Sequence, residues 1–389
     1  MASSRLRSSS PSISKLFLSF LKLGLTAFGG PAMIAYIKKM AVTRNKWIDE
    51  TTFKDGVVLC QAIPGSTSMQ MAAYVGLKAK NISGAFVSFV GFGLPAFILM
   101  LVLSVIYKNT HDAPKVLSLF CGLQIIVVAL VAQAAFSFSR GMTKNFRDVF
   151  ILLFSAILLW FSVSPALVIL LCALLGLLGS GVHSDDLPKS KQANKAPAKV
   201  IAVAAVILVF AFAGLFFIDR NLFKLALLMF KIDFFAFGGG FGSLPLMQHE
   251  IVTARHWMDN KTFMDGIALG QVTPGPIVMT TTFIGYWLRG VPGAVVSTLA
   301  IFTPSFLMVV FLAPVFDQFK ENRYFKKATE AIYASFVGLL LFVAVKFASA
   351  VSWDAVKVLL GLIALLALIK KADILYVVLG GAFISYFIL

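Results

Sequence analysis

The groups in this chain that could do chemistry come in pairs. Phe28-Gly29-Gly30-Pro31 returns as Phe237-Gly238-Gly239-Gly240, Lys22 as Lys231, and Asp55 as Asp265. Gln61, Pro64, Gly65 and Ser66 return as Gln271, Pro274, Gly275 and Pro276. Clustered glycines let a helix stop, and the helix that restarts presents its positive N-terminal end, which suits an anion. The same small residues also serve close helix packing. Gln61, Gln271 and Ser66 offer donors that can replace an oxyanion's hydration without a fixed charge. Their structural alternative is to satisfy the backbone groups that the prolines free.

Lys22 and Lys231 sit inside apolar segments, and an ionisable group there is a functional hypothesis by default. The partner is a dianionic substrate or, for Lys231, the nearby Asp233. The structural alternative is snorkelling to the interface. Asp55 and Asp265 precede the Gln-Pro-Gly runs, and Asp49 and Asp259 stand at equivalent positions too. Such residues either cap the following helix or carry protons. Asp55, Asp233 and Asp265 are therefore the candidates for coupling to a co-ion. Trp47 and Trp257 are expected as interfacial anchors.

These residues need a scaffold, and composition says which kind. Of 389 residues, 59% are hydrophobic and 13% charged, with a mean hydropathy of +0.91. A soluble domain carries about a quarter charged residues. Apolar runs are continuous rather than alternating, so helices are expected and not a membrane barrel. The chain reads as an all-α polytopic membrane protein. Candidate spans are 84–107, 116–138, 149–163, 164–182, 200–218, 293–316, 327–349, 353–369 and 372–388. The segments 16–37, 55–77, 225–247 and 263–288 are long enough to cross but are broken in the middle by Gly or Pro. Such breaks survive in a bilayer only where the freed backbone faces protein or a water-filled cavity.

Leu94-Pro95-Ala96-Phe97 is likewise answered by Thr303-Pro304-Ser305-Phe306. The chain divides into a first repeat (1–182), a basic polar linker (183–199), a connecting helix (200–218) and a second repeat (219–389). An even number of crossings per repeat plus one connecting helix inverts the second repeat, provided that 149–182 is two short helices around Ser162–Pro165. Lys and Arg concentrate on one side more strongly if the broken segments turn back as re-entrant hairpins. Doubled, inverted, broken segments point to a secondary transporter with its site at the breaks.

The formal charge of +17 lies in short loops, where positive-inside topology explains it, so no nucleic-acid partner is expected. Cys60, Cys121 and Cys172 are scattered in apolar segments and imply neither a disulfide framework nor a metal site. The N-terminus has no clean cleavage site, and its apolar run is broken by Lys22. Gly240-Phe241-Gly242 lacks a preceding strand, a Walker lysine and an acidic ribose reader, so it is no nucleotide site. No hydrolase or kinase constellation appears. The chain is not expected to be an enzyme or to hold a cofactor.

Phe28 to Pro31, Trp47, the Cys60-Gln61-x-x-Pro64-Gly65 run and Gly91-Phe92-x-x-Pro95, with their echoes, resemble the chromate ion transporter family in its long two-repeat form. The resemblance implies an inner (plasma) membrane carrier that exports chromate and confers chromate resistance, with sulfate as a similar oxyanion. Partners would be these anions, the lipid bilayer and, potentially, a second copy of the chain. The family's Pro-Gly-Pro reads Pro64-Gly65-Ser66 in the first half, and Gly24 is matched by Asp233, which leaves room for another oxyanion or coupling ion. A sulfate or other oxyanion carrier of the same architecture and a non-transporting intramembrane protein are the alternatives.

Overall fold

The computed structural model describes residues 11–27, 30–142, 145–178, 198–320 and 322–388. Phe28, Gly29 and most of the linker (183–197) lie outside the described residues. Among those described there are helices and no strands. The first repeat contains α1 (Ile13–Thr26), α2 (Gly30–Lys38), α3 (Glu50–Ala62), α4 (Thr67–Thr110), α5 (Pro114–Arg140), α6 (Phe146–Trp160) and α7 (Pro165–Leu178). The connecting helix is α8 (Ala198–Ile218). The second repeat contains α9 (Arg220–Phe234), α10 (Ser243–Met247), α11 (Asn260–Val272), α12 (Thr280–Leu312), α13 (Phe316–Phe319), α14 (Arg323–Ala350), α15 (Ala355–Ile369) and α16 (Ile374–Ile388).

Among the described residues five helices, α4, α5, α8, α12 and α14, are long and apolar enough to cross a membrane. Two of them are not straight rods. α4 reverses at Lys80 and Asn81 (φ 55°), and α12 at Arg289 and Gly290 (φ 61°). The two arms of α4 then pack back to back: a Cβ on Gly76 would land on the Gly84 carbonyl oxygen. Gly285 and Gly293 repeat that contact in α12. Small residues allow this backbone approach, and the Ser297 hydroxyl seals it by donating to the Thr281 carbonyl at 2.9 Å. Each first arm (67–79, 280–288) is therefore one limb of a hairpin whose other limb is α3 or α11, and each second arm (82–110, 291–312) crosses.

The repeats match down to their caps. Asp49 and Asp259 have the same backbone angles (φ −81°, ψ 169°) and accept from the N–H groups of Thr52 and Thr262, both at 2.7 Å. That bond holds the Asp49 carboxyl below its ordinary range. Asp55 and Asp265 lie inside α3 and α11 and cap nothing, because each follows its helix start by more than a turn. Trp47 is buried against Phe20 (ring centroids 6.5 Å apart) and is core rather than an interfacial anchor; Trp257 is half-buried beneath the Arg255 guanidinium. Of the 149–182 region, residues 149–178 are described and form two short helices, α6 and α7, turning at Ser162, as the inverted arrangement requires. α6 and α7 pack on α14 while α15 and α16 pack on α5, the same layer built twice with the repeats exchanged. α8 lies against α9 with its apolar surface largely exposed, as a helix facing lipid would be.

Candidate functional site between the two repeats

The breaks of one repeat meet those of the other. Gly65, between α3 and α4, donates its N–H to the carbonyl of Ala236, between α9 and α10, at 2.9 Å. Ser66 donates its N–H to the Ser305 hydroxyl on α12 at 3.2 Å. A Cβ at Gly65 (φ +111°) would overlap the Ser305 Oγ, and one at Gly275 (φ +135°) would stand 2.7 Å from the Ala96 Cβ on α4. Gly65 with Ser305 and Gly275 with Ala96 are the same contact made twice across a pseudo-two-fold axis. Ala96 sits near the middle of the crossing arm 82–110, which is about 43 Å long at 1.5 Å per residue. The breaks therefore lie near mid-depth.

Three helical segments start beside these contacts: α4, α12 and the turn Gly239–Gly242 that leads into α10. Their N–H groups point partial positive charge towards the junction. Gly238, Gly239, Gly240, Thr67 and Gly275 are partly exposed. Gly239 approaches the Thr67 hydroxyl, which a Cβ would meet at 2.9 Å. Pro64 and Pro276 are buried, as is Pro274; Pro31 and Gly30 open α2.

Beside this junction lies a buried polar cluster. Asp233, fully buried at the end of α9, accepts through Oδ2 from the Ser305 N–H (2.8 Å) and hydroxyl (2.7 Å). Pro304, which lacks an N–H, interrupts the α12 ladder one residue before Ser305, whose N–H donates to the carboxylate. Gln70 donates to the Pro64 carbonyl at 2.5 Å. Asp233 Oδ1 and Gln70 Oε1 are buried and have no hydrogen-bond partner among the described residues.

The two hairpins differ in their surroundings. α11 packs against α5, α16, α12 and α14, whereas the principal contact of α3 is α4 alone. Met264 and Ala268 are buried, while their counterparts Lys54 and Val58 are exposed. Asp265 is buried and accepts from the Tyr107 hydroxyl (2.7 Å) and the Gln124 amide (2.8 Å). Asp55 is half-exposed, with Lys320 3.8 Å away. The hairpin that carries Asp265 is thus buried among its neighbours, and the one that carries Asp55 is more exposed. A cavity of about 210 Å³ borders Asp265 and is lined by His111, Lys261 and Lys357.

Not every residue singled out from the sequence reaches the junction. Lys22 is on an exposed face of α1. Lys231 pairs with Glu250 at 2.7 Å, and Arg255 holds the other oxygen of that carboxylate. Asp233 is not its partner, because residues two apart on a helix face different ways. Gln61 is exposed and Gln271 half-buried, each at the end of its helix. Sequence reasoning missed Ser305, Tyr107, Gln124 and Glu250 as partners. The amide of Gln124 in an otherwise apolar helix was the available signal; Ser305 was visible only as a repeat echo.

An all-α membrane protein of two repeats, whose broken helices meet between the halves, has the build of a membrane transporter. The model for the chromate transporter family matches the chain twice, at residues 14–177 and 223–386, and the chain belongs to that family. It is similar to an uncharacterized transporter of Methanocaldococcus jannaschii (44% identical over 385 residues, 97% of this chain and 95% of the relative). It is similar also to a chromate transport protein of Cupriavidus metallidurans (30% over 383 residues, 95% and 92%) and a probable one of Synechococcus elongatus (26% over 363 residues, 92% and 90%). No solved structure matches.

Proposed function

We propose that the chain is an alternating-access carrier that exports chromate across the plasma membrane and so confers chromate resistance. The observation that carries this reading is the junction: breaks from both repeats in contact, with one flanking hairpin buried and the other more exposed. An inverted pair can exchange the conformations of its halves, which converts one access state into the other. The substrate would lie among the N-terminal ends at Ser66, Gly238 to Gly240 and Pro276, with Gln61 and Gln271 at the mouths. Backbone and hydroxyl donors suit a tetrahedral dianion and discriminate little between chromate and sulfate. An inside-negative potential favours outward movement of a dianion by about 4.6 kcal/mol per 100 mV, from about 2.3 per charge. Export would then need no ATP.

A second reading, sulfate uptake, takes support from the buried carboxyl groups of Asp233 and Asp265, since uptake against the potential requires a co-ion. Cells that express the chain should accumulate less chromate than cells without it and grow at higher chromate. Greater chromate accumulation would turn the reading to uptake, and unchanged accumulation with verified membrane expression would remove chromate as substrate.

A further inference from the structure

We infer that Asp233, with Gln70 and Ser305, forms a proton-binding site in the wall of the junction, and that its protonation is tied to the closing of the two repeats on each other. This rests on the carrier reading, though not on which oxyanion is carried.

The argument starts from two oxygens. Asp233 Oδ2 is fully used by the N–H and hydroxyl of Ser305, and Gln70 uses its amide nitrogen on the Pro64 carbonyl. That leaves Asp233 Oδ1 and Gln70 Oε1, both acceptors in fully buried side chains, both without a donor among the described residues. The two side chains flank one point, Gly65: a Cβ there would meet both the Ser305 Oγ and, at 2.8 Å, the Gln70 Nε2. Buried acceptors without donors are costly, and a carboxylate with one bare oxygen at mid-depth is costlier still. A proton on Oδ1 removes the charge and turns one acceptor into a donor. A metal cation would need several more oxygens than the two that are free.

The molecule contains its own control. At the twin contact across the pseudo-two-fold axis, the counterparts of Asp233, Ser305 and Gln70 are Gly24, Ala96 and Thr280. Gly24 packs on the Phe92 backbone, Ala96 on Gly275, and the Thr280 hydroxyl is satisfied by the Ile277 carbonyl at 2.8 Å. Among the described residues the same junction is therefore built on that side with no acid and no orphaned oxygen at the equivalent positions. The carboxyl group is not needed to make the contact.

Among the described residues no charged group pairs with Asp233. Among the elements packed against α9, α12 carries Tyr286 and Arg289 at its Asp265-face end, α8 carries Lys199, and α10 carries no titratable residue. The helices flanking Gly65 carry Glu50, Lys54, Asp55 and Cys60 (α3) and Tyr74 and Lys78 (first arm of α4), none bonded to Asp233. On α9 itself, Arg220 and Lys224 lie near the start, and Lys231 is drawn to Glu250. Ionised Asp233 would repel a dianion at the neighbouring breaks. The proton and the oxyanion are thus expected in the site together, and release of the proton is expected to loosen the contact of Gly65 with Ser305.

The test uses the full chain in proteoliposomes with two readouts. Infrared spectroscopy at neutral pH should show the carbonyl stretch of a protonated carboxyl that fades on alkalinisation and is missing from Asp233→Asn. With the potential clamped at zero, an imposed proton gradient should change wild-type chromate flux. Asp233→Asn should lose that response, the ratio of flux with and without the gradient falling to one whatever the variant's basal rate. The double variant Asp233→Gly/Ser305→Ala, which copies the twin site, should do the same and guards against a folding defect in the single variant. A carboxyl band unaffected by Asp233→Asn, or a gradient response that survives in both variants, overturns the proposal. If the wild type moves no chromate, the transport reading fails, and the infrared band still decides the proton site.

Discussion

Gly65→Ala tests whether the repeats really meet through their breaks. Two costs are expected. The backbone at Gly65 has φ +111°, where a Cβ is strained by about 1–3 kcal/mol. The new methyl would also overlap the Ser305 Oγ and stand 2.8 Å from the Gln70 Nε2, an overpacking cost of about 1–3 kcal/mol more. Gly290→Ala separates the two: its φ is +61°, but no atom lies within 4 Å of the added Cβ, so only the backbone cost applies. Detergent-solubilised thermal unfolding should therefore rank Gly65→Ala below Gly290→Ala, and Gly290→Ala below wild type. Ser305→Ala in the Gly65→Ala background should recover part of the loss, since the overlapping oxygen is gone, while the Ser305 Cβ still stands 3.1 Å from the new methyl. A coupling of about 0.5–3 kcal/mol in that double-mutant cycle is expected for touching residues. Equal destabilisation by Gly65→Ala and Gly290→Ala, with no coupling to Ser305, would refute the contact between the repeats.

Further outcomes concern the surroundings. In a chain lacking Cys60, Cys121 and Cys172, Val58→Cys should react with a water-soluble thiol reagent applied from the Asp55 face, and Ala268→Cys should not; equal labelling would contradict the asymmetry of the hairpins. Lys22→Gln should leave unfolding near wild type, whereas Lys231→Gln with Arg255→Gln, which strands the buried Glu250 carboxylate, should cost about 3–5 kcal/mol by the same melt. Asp49→Ala should cost about 1 kcal/mol through loss of the α3 cap. Because the folded Asp49 carboxyl titrates below its ordinary value, its contribution is complete above about pH 4 and is lost as pH falls through the lowered value; pH-dependent melts of wild type against Asp49→Ala check this.

Much of this was legible in the sequence because a bilayer leaves few choices. Paired glycines and prolines in apolar segments predicted broken helices, and Asp49 and Asp259 were readable as caps from type and position. The repeat showed which positions were equivalent. It could not show that Gly65 would touch Ser305, because that contact depends on how two halves dock, and docking is set by shape at particular residues. Lys22 and Lys231 misled for a related reason. A cation in an apolar run carries the same signal whether it reaches a site, a lone carboxylate such as Glu250, or an exposed helix face. The difference between α3 and α11 was invisible too, since it separates near-equivalent sequences by what packs against them.

The most direct test of the central claim is chromate uptake into inside-out vesicles under an imposed potential of either sign, comparing wild type with Gly65→Ala. The account predicts potential-dependent uptake by wild type, competed by sulfate and sharply reduced in the variant at equal membrane content. Uptake that ignores the potential, or that Gly65→Ala leaves untouched, would contradict a carrier working through the junction of its two repeats.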